Sequence, residues 1–85
     1  MAGYEVSFRR SVLRDLDSIP KKDVERILSL IRSLADNPRP PGSKKLSAQE
    51  RYRARQGDYR VLYSIQDADR SVWIVKVAHR KDVYR

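Results

Sequence analysis

Basic residues concentrate in one short stretch of the chain and return near its end. A guanidinium stays protonated and grips a phosphate with two parallel hydrogen bonds, whereas an ammonium acts as a point charge. Such groups can bind an anion or stabilise developing negative charge, but arginines are poor proton carriers. The residues with this chemistry are Arg51, Arg53, Arg55, Arg60, Arg80 and Lys81.

Two residues beside Arg80 could carry protons. His79 has an ordinary pKa of about 6.5, and Tyr84 has an ordinary phenol pKa of about 10 that falls beside several cations. For each residue the alternative is a structural role, a histidine that ends a strand or a tyrosine that packs. Their nearness to Arg80 favours a role in catalysis.

The acidic residues and the single histidine do not form a metal-binding pattern. The chain has no cysteine and its carboxylates are scattered, so we expect no metal site and no cofactor. A nuclease without a metal ion needs a nucleophile from its substrate, because it cannot easily generate hydroxide at neutral pH. RNA supplies its 2′-OH. If this protein cuts nucleic acid, the prediction is RNA cleavage that leaves a cyclic phosphate.

A predicted β-hairpin positions most of these arginines. Gly57 and Asp58 form a two-residue turn signal between two alternating runs, which is typical of a tight hairpin. The period of two gives an apolar face with Tyr52, Ala54, Tyr59, Val61 and Tyr63, and a cationic face with Arg51, Arg53, Arg55 and Arg60. Arg55 would then oppose Arg60, at a cost in stability that a bound anion would relieve. The alternative is an edge strand whose charges block aggregation.

The remaining elements follow from hydrophobic periodicity. Residues 4–8 alternate as a strand, a short helix is expected at 9–18, and a second helix runs from about Val24 to Asn37-Pro38. A proline-rich loop at 37–45 leads to the hairpin, and residues 71–78 read as a buried strand. Trp73 in that strand is expected to pack in the core or against the hairpin, with base stacking as the alternative.

This order predicts an α+β fold in a single domain, residues 1–85. The N-terminal strand and a two-helix antiparallel hairpin would pack on an antiparallel sheet of about four strands. The helices would cover one face of the sheet, and the arginines would lie on the other, open face.

Charge and composition limit the class of partner. The net charge is +8, and residues 41–85 hold eleven Lys/Arg against five Asp/Glu, whereas residues 1–40 hold eight against six. A basic excess in one half favours nucleic acid or an acidic protein. No apolar run is long enough for a membrane span or a signal peptide, so we expect a cytoplasmic protein that has no membrane partner.

Several segments together resemble a known family. The helix ending LADNP, the KKL segment, the run YRARQGDYRVLY and the ending VAHRKDVY are similar to the RelE/ParE superfamily of toxin–antitoxin toxins, specifically its RelE branch. The resemblance covers essentially the whole chain and implies the RelE-like fold. It also implies a type II toxin that enters the ribosomal A site and cleaves mRNA there.

The resemblance implies roles for individual residues and partners. Arg53 and Arg55 match the family's basic pair on the strand before the hairpin turn, and Arg60, Arg80 and Tyr84 match its arginines and tyrosine of the site. The expected partners are the ribosome with its mRNA and a cognate, acidic antitoxin that wraps the toxin, with operator DNA bound only through the antitoxin. The alternatives are a ParE-like DNA gyrase inhibitor and a non-catalytic antitoxin partner or co-repressor.

Overall fold

The chain forms five strands and two helices. A computed structural model describes residues 3–46 and 51–83. The elements in chain order are β1 (Glu5–Phe8), α1 (Arg10–Asp17), α2 (Lys21–Ser33), β2 (Lys44–Leu46), β3 (Arg51–Gln56), β4 (Tyr59–Gln66) and β5 (Ser71–His79). The α+β class is confirmed, and the hairpin and both helices lie where the sequence predicts them.

The sheet differs from the prediction in strand number and in direction. Its order is β1-β5-β4-β3-β2, and β1 runs parallel to β5 while every other pair is antiparallel. The sheet is therefore mixed and has five strands, whereas about four antiparallel strands were predicted. After the helices, β2 forms the edge of the sheet opposite β1, and it begins within the segment that was predicted as a loop. Strands β3, β4 and β5 then follow in order back toward β1, each antiparallel to the strand before it. This order places β5 beside β1 in the same direction.

The helices cover one face of this sheet and form the core with it. Within the described residues, neither helix is long and apolar enough to cross a membrane. Helical side chains at the expected 3.6-residue spacing meet alternate side chains of β3, β4 and β5. The buried cluster comprises Val12, Ile27, Ile31, Leu34, Ala54, Val61, Tyr63, Ile65, Val72, Ile74 and Val77.

Helix α1 continues along the edge of β5 where β1 ends. The last pair of the parallel ladder joins Phe8 to Ile74, and the amide of Arg9 donates to the Ile74 carbonyl at 3.0 Å. Farther along β5, the Asp15 carboxylate on α1 accepts a hydrogen bond of 3.0 Å from the Val77 amide. An otherwise unpaired edge amide is thereby satisfied, which fixes α1 against the end of β5.

Candidate nucleic-acid interface

The hairpin has the register that the sequence predicts. Tyr52 pairs with Tyr63, Ala54 with Val61, and Arg55 with Arg60. Gly57 has a φ of +60°, which suits the first position of a type II′ hairpin turn. Because Ala54, Val61 and Tyr63 belong to the helix-covered core, the side chains of Arg55 and Arg60 project from the opposite face.

That opposite face carries most of the basic side chains of the strands. The registers place Lys44, Arg53, Leu62 and Lys76 side by side across four strands. Among the five strands that the structure describes, Glu5 at the edge is the only acidic residue. We call this surface the basic face; its cations are Lys44, Arg51, Arg53, Arg55, Arg60 and Lys76.

Apolar groups lie beneath the cations of the basic face. Leu62 and Val75 are buried, although they do not belong to the core cluster under the helices. Val75 sits at the irregularity of the β4–β5 ladder, where Leu62 pairs with Lys76 and Tyr63 with Ile74. The Nε atom of Arg53, the neighbour of Leu62, is also buried. The aliphatic stems of the basic residues therefore cover apolar surface while their charged ends reach outward.

Arg60 is held against the turn of its own hairpin. Its Nη1 atom donates to the carbonyl of Gly57 at 3.3 Å and to that of Tyr59 at 3.2 Å. Arg55, its partner across the ladder, is exposed. These backbone bonds orient one guanidinium at the turn end of the basic face, next to a second guanidinium that is open to solvent.

The end of β5 brings Arg80 to the same end of the sheet. The Arg80 amide donates to the Asp58 carbonyl at 2.7 Å, which joins it to the hairpin turn. Ala78, two residues earlier, pairs with Arg60. Arg80 and Lys81 are both exposed. The structure therefore brings Arg55, Arg60 and Arg80 together around one turn.

His79 lies on the other side of the sheet. It pairs with Tyr59, and the two rings meet edge to face with centroids 5.6 Å apart. Its Nδ1 atom accepts a hydrogen bond of 3.2 Å from the Lys81 amide, which leaves Nε2 to carry the proton of the neutral ring. Both rings line a cavity of about 350 Å³ with Asp15, Ser18 and Asp82. The His79 imidazole and the Arg60 guanidinium thus lie on opposite faces of the sheet.

Tyr84, the other predicted proton carrier, lies outside the described residues. Within residues 3–46 and 51–83, no group of three His, Cys, Asp or Glu side chains is placed to hold a metal ion.

A second polar cluster lies at the other end of the sheet, and sequence reasoning missed it. Arg39 in the proline-rich loop forms a bidentate ion pair with Asp67. Its Nη2 and Nη1 atoms donate to the two carboxylate oxygens at 2.9 and 3.3 Å. Tyr4 donates to Asp67 at 2.8 Å, and the Arg39 guanidinium lies 5.1 Å from the Tyr52 ring centre. These contacts join the loop to the residue before β1, to β3 and to the β4–β5 turn. Nothing local in the sequence signals that Asp67 has a partner 28 positions away.

The groups in this second cluster have shifted pKa values. The hydrogen bonds from Arg39 and Tyr4 lower the pKa of Asp67, and the bond to Asp67 raises the pKa of Tyr4. Burial raises the pKa of Tyr63 to about 12, and its hydroxyl donates to the Pro38 carbonyl at 2.7 Å. The lowered pKa of Asp67 stabilises the folded loop at neutral pH, and the raised pKa values keep the two phenols neutral there, so the cluster supports the fold.

Comparisons with known proteins give one consistent result. The family model described as the ParE toxin of type II toxin–antitoxin systems matches residues 6–84. A toxin RelE of Mycobacterium tuberculosis is 33% identical over 96% of this chain and 87% of its own length.

Solved structures agree with the sequence comparison. The RelE–RelB complex of Pyrococcus horikoshii matches with a TM-score of 0.84 and 33% identity, over 95% of this chain and 99% of that one. The toxin–antitoxin complex RelBE2 of Mycobacterium tuberculosis also has a TM-score of 0.84, at 32% identity over 96% and 97% of the two chains. The chain therefore belongs to the RelE/ParE family of type II toxin–antitoxin toxins, and it resembles the RelE members over nearly its whole length.

Proposed function

We propose that this toxin is a metal-independent endoribonuclease that cleaves mRNA in the ribosomal A site and thereby stops translation. The observation that carries the proposal is the gathering of Arg55, Arg60 and Arg80 at one end of a face that is rich in cations and poor in carboxylates. Fixed cations of this kind suit the crowded phosphate of a cleavage transition state. The similarity of this chain to a relative named toxin RelE also supports the proposal.

The reaction uses a nucleophile from the substrate. The 2′-oxygen of the upstream ribose attacks the adjacent phosphorus and loses its proton, and the bond from phosphorus to the 5′-oxygen breaks as that oxygen gains a proton. The products are a 2′,3′-cyclic phosphate and a 5′-hydroxyl. Arg60 and Arg80 stabilise the negative charge that grows on the phosphorane oxygens. Arg51, Arg53, Arg55 and Lys81 hold the flanking phosphates.

Tyr84 is the proton carrier that we favour over His79. The ring of His79 packs against Tyr59 on the helix side of the sheet, whereas the phosphate would lie on the basic face. An imidazole in that place can orient Lys81 through the bond to its amide. Tyr84 follows Arg80 by four residues, and neighbouring cations would lower its phenol pKa toward a useful range.

An acidic antitoxin is the partner that we propose for the resting state. The toxin carries a net charge of +8, and a partner of opposite charge would associate quickly and cover the basic face. The matched structures from Pyrococcus horikoshii and Mycobacterium tuberculosis are toxin–antitoxin complexes. The ribosome would hold the mRNA in place for cleavage, because the basic face alone does not determine where the RNA is cut.

The experiment compares two double variants that remove equal charge. Arg60→Ala with Arg80→Ala takes two arginines from the proposed site, and Arg10→Ala with Arg14→Ala takes two exposed arginines from α1. Induction of the first variant should leave growth unaffected, and the second should still arrest growth. Arrest by both variants would overturn the assignment of Arg60 and Arg80.

If the protein inhibited DNA gyrase instead, its induction would affect different molecules in the cell. Inhibition of gyrase would give arrested cells with relaxed plasmid DNA and intact mRNA, because RNA cleavage plays no part. The proposed ribonuclease leaves supercoiling unchanged and shortens transcripts within minutes of induction.

A further inference from the structure

Trp73 is exposed where its neighbours along β5 are fully buried. Val72 and Ile74 lie in the core, while 41% of the Trp73 surface is open to solvent. The prediction that Trp73 packs in the core was therefore wrong. Alternation along the strand points its indole to the same side as the basic face. Tryptophan is highly buried on average, and an indole that is 41% open to solvent on a polar surface is available for contact with a partner.

The residues on either side leave the indole partly exposed. Trp73 pairs with Ser7 of β1 and with Ser64 of β4, and both serine side chains are too short to cover a ring. Tyr52 pairs with Tyr63, so the residues next to them, Arg51 and Ser64, lie opposite each other. Arg51 therefore belongs to the same row as Trp73. Two strand spacings separate Arg51 from Trp73, which is roughly 10 Å. A partly exposed aromatic side chain thus lies in the same row as the cation of Arg51, with only Ser64 between them.

We propose that Trp73 stacks against an unpaired base of the RNA strand whose phosphates the basic face holds. The proposal rests on the proposed function for RNA as the ligand and adds a contact that the cleavage chemistry does not need. Aromatic side chains beside a cationic track are how proteins bind single strands without reading their sequence. Trp73 stands well away from the turn that carries Arg60 and Arg80, so it would hold a nucleotide that flanks the cleaved bond.

The side chains around Trp73 suit a nucleic-acid base better than a protein segment. An antitoxin segment could also cover an exposed indole, but the neighbouring side chains of Ser7 and Ser64 are small and uncharged and offer it little apolar surface. A base needs only one open aromatic face and a nearby cation for its phosphate. The row that holds Trp73 provides both.

Trp73 is the single tryptophan of the chain, so intrinsic fluorescence reports on this site alone. The test titrates the free toxin at low salt with a nonamer of adenylate, and with an abasic nonamer that has the same phosphates but no bases. The adenylate nonamer should quench the emission and shield the indole from acrylamide. The abasic nonamer should bind without comparable quenching. Equal quenching by both would contradict stacking.

Variants give an independent measure through a fluorescein-labelled adenylate nonamer. Trp73→Ala should bind this probe roughly tenfold more weakly, and Trp73→Phe should keep most of the affinity. The control is Leu13→Ala, which removes a side chain that is 59% exposed on α1, and it should bind as the wild type does. Wild-type affinity in Trp73→Ala would overturn the proposal and would leave the indole as a surface for a protein partner.

The two proposals can fail separately. Base-dependent quenching by a toxin that does not cleave mRNA on ribosomes would support the stacking site and overturn the proposed reaction. Ribosome-dependent cleavage that is unchanged in Trp73→Ala, together with no quenching, would overturn the stacking site alone.

Discussion

Arg55 of β3 lies directly opposite Arg60 of β4, so two guanidinium groups face each other across the hairpin ladder. Like charges in this position destabilise a sheet by about 0.2 to 1 kcal/mol. The Arg60 guanidinium donates hydrogen bonds to the carbonyls of Gly57 and Tyr59, while the Arg55 side chain is exposed. The pair is easier to understand as an anion site than as a device for folding, because a bound phosphate would remove the repulsion.

The first prediction separates stability from function at this pair. Arg55→Gln should raise the free energy of unfolding by about 0.2 to 1 kcal/mol, since it removes the repulsion from Arg60. It should also weaken binding of single-stranded RNA and make the salt dependence shallower by about 0.7 in log–log slope. Urea unfolding and RNA titrations at several salt concentrations measure the two effects. Arg14→Gln on α1 is the matched control and should change neither.

A second prediction concerns the proton carriers. His79→Gln should keep the cleavage rate within about threefold of wild type, because the ring lies on the helix side of the sheet against Tyr59. Tyr84→Phe should lower the rate by about 100-fold or more, the usual range for loss of general acid–base catalysis. Single-turnover cleavage on stalled ribosomes provides the rates. The reverse ranking would make His79 the proton carrier.

Asp67 gives a third prediction, on acid stability. Its pKa is lowered in the folded protein by Arg39 and Tyr4, so its stabilising effect is present above the ordinary carboxyl pKa of about 3.9. That effect is lost as the pH falls through the lower, folded value. Urea midpoints of Asp67→Asn should therefore fall less steeply below about pH 4 than those of wild type. Asp69→Asn, in the same turn, should behave as wild type; parallel curves for all three would refute the role of Asp67.

The fourth prediction concerns alkaline stability through Tyr63. Its folded pKa is raised to about 12 from an ordinary value of about 10, so the stabilising effect of the neutral phenol is complete below pH 10 and is lost as the pH rises toward 12. Tyr63→Phe should lower the free energy of unfolding at pH 7 by about 1 to 3 kcal/mol, because the buried Pro38 carbonyl loses its donor. The variant should also lose less stability between pH 10 and 12 than wild type. A steeper loss would contradict the burial effect.

Local patterns were enough to predict the hairpin and its faces. Gly57 and Asp58 fix the turn, and the period of two then determines which residues pair, so the opposition of Arg55 and Arg60 followed from sequence alone. The core face of α2 was equally clear, because Ile27, Ile31 and Leu34 recur at helical spacing and all three are buried.

Features that depend on distant contacts could not be predicted in this way. Strand β2 has three residues, too few for a periodic signal, and it follows a run of prolines. The ion pair of Arg39 with Asp67 depends on how that loop crosses the sheet. Trp73 lies in an apolar run whose alternation is hidden by the irregularity at Val75, so its exposure became visible only in the sheet. The faces of His79 and Arg80 depend on where β5 ends.

The central claim is that the basic face cleaves mRNA on the ribosome. The most direct measurement is primer extension on a defined mRNA, in a purified translation system with ribosomes stalled so that one known codon occupies the A site. We predict a new 5′ end within that codon that requires both ribosomes and toxin, disappears with Arg80→Ala and persists with Arg14→Ala. An intact message on stalled ribosomes, with toxin that still arrests growth, would contradict the claim.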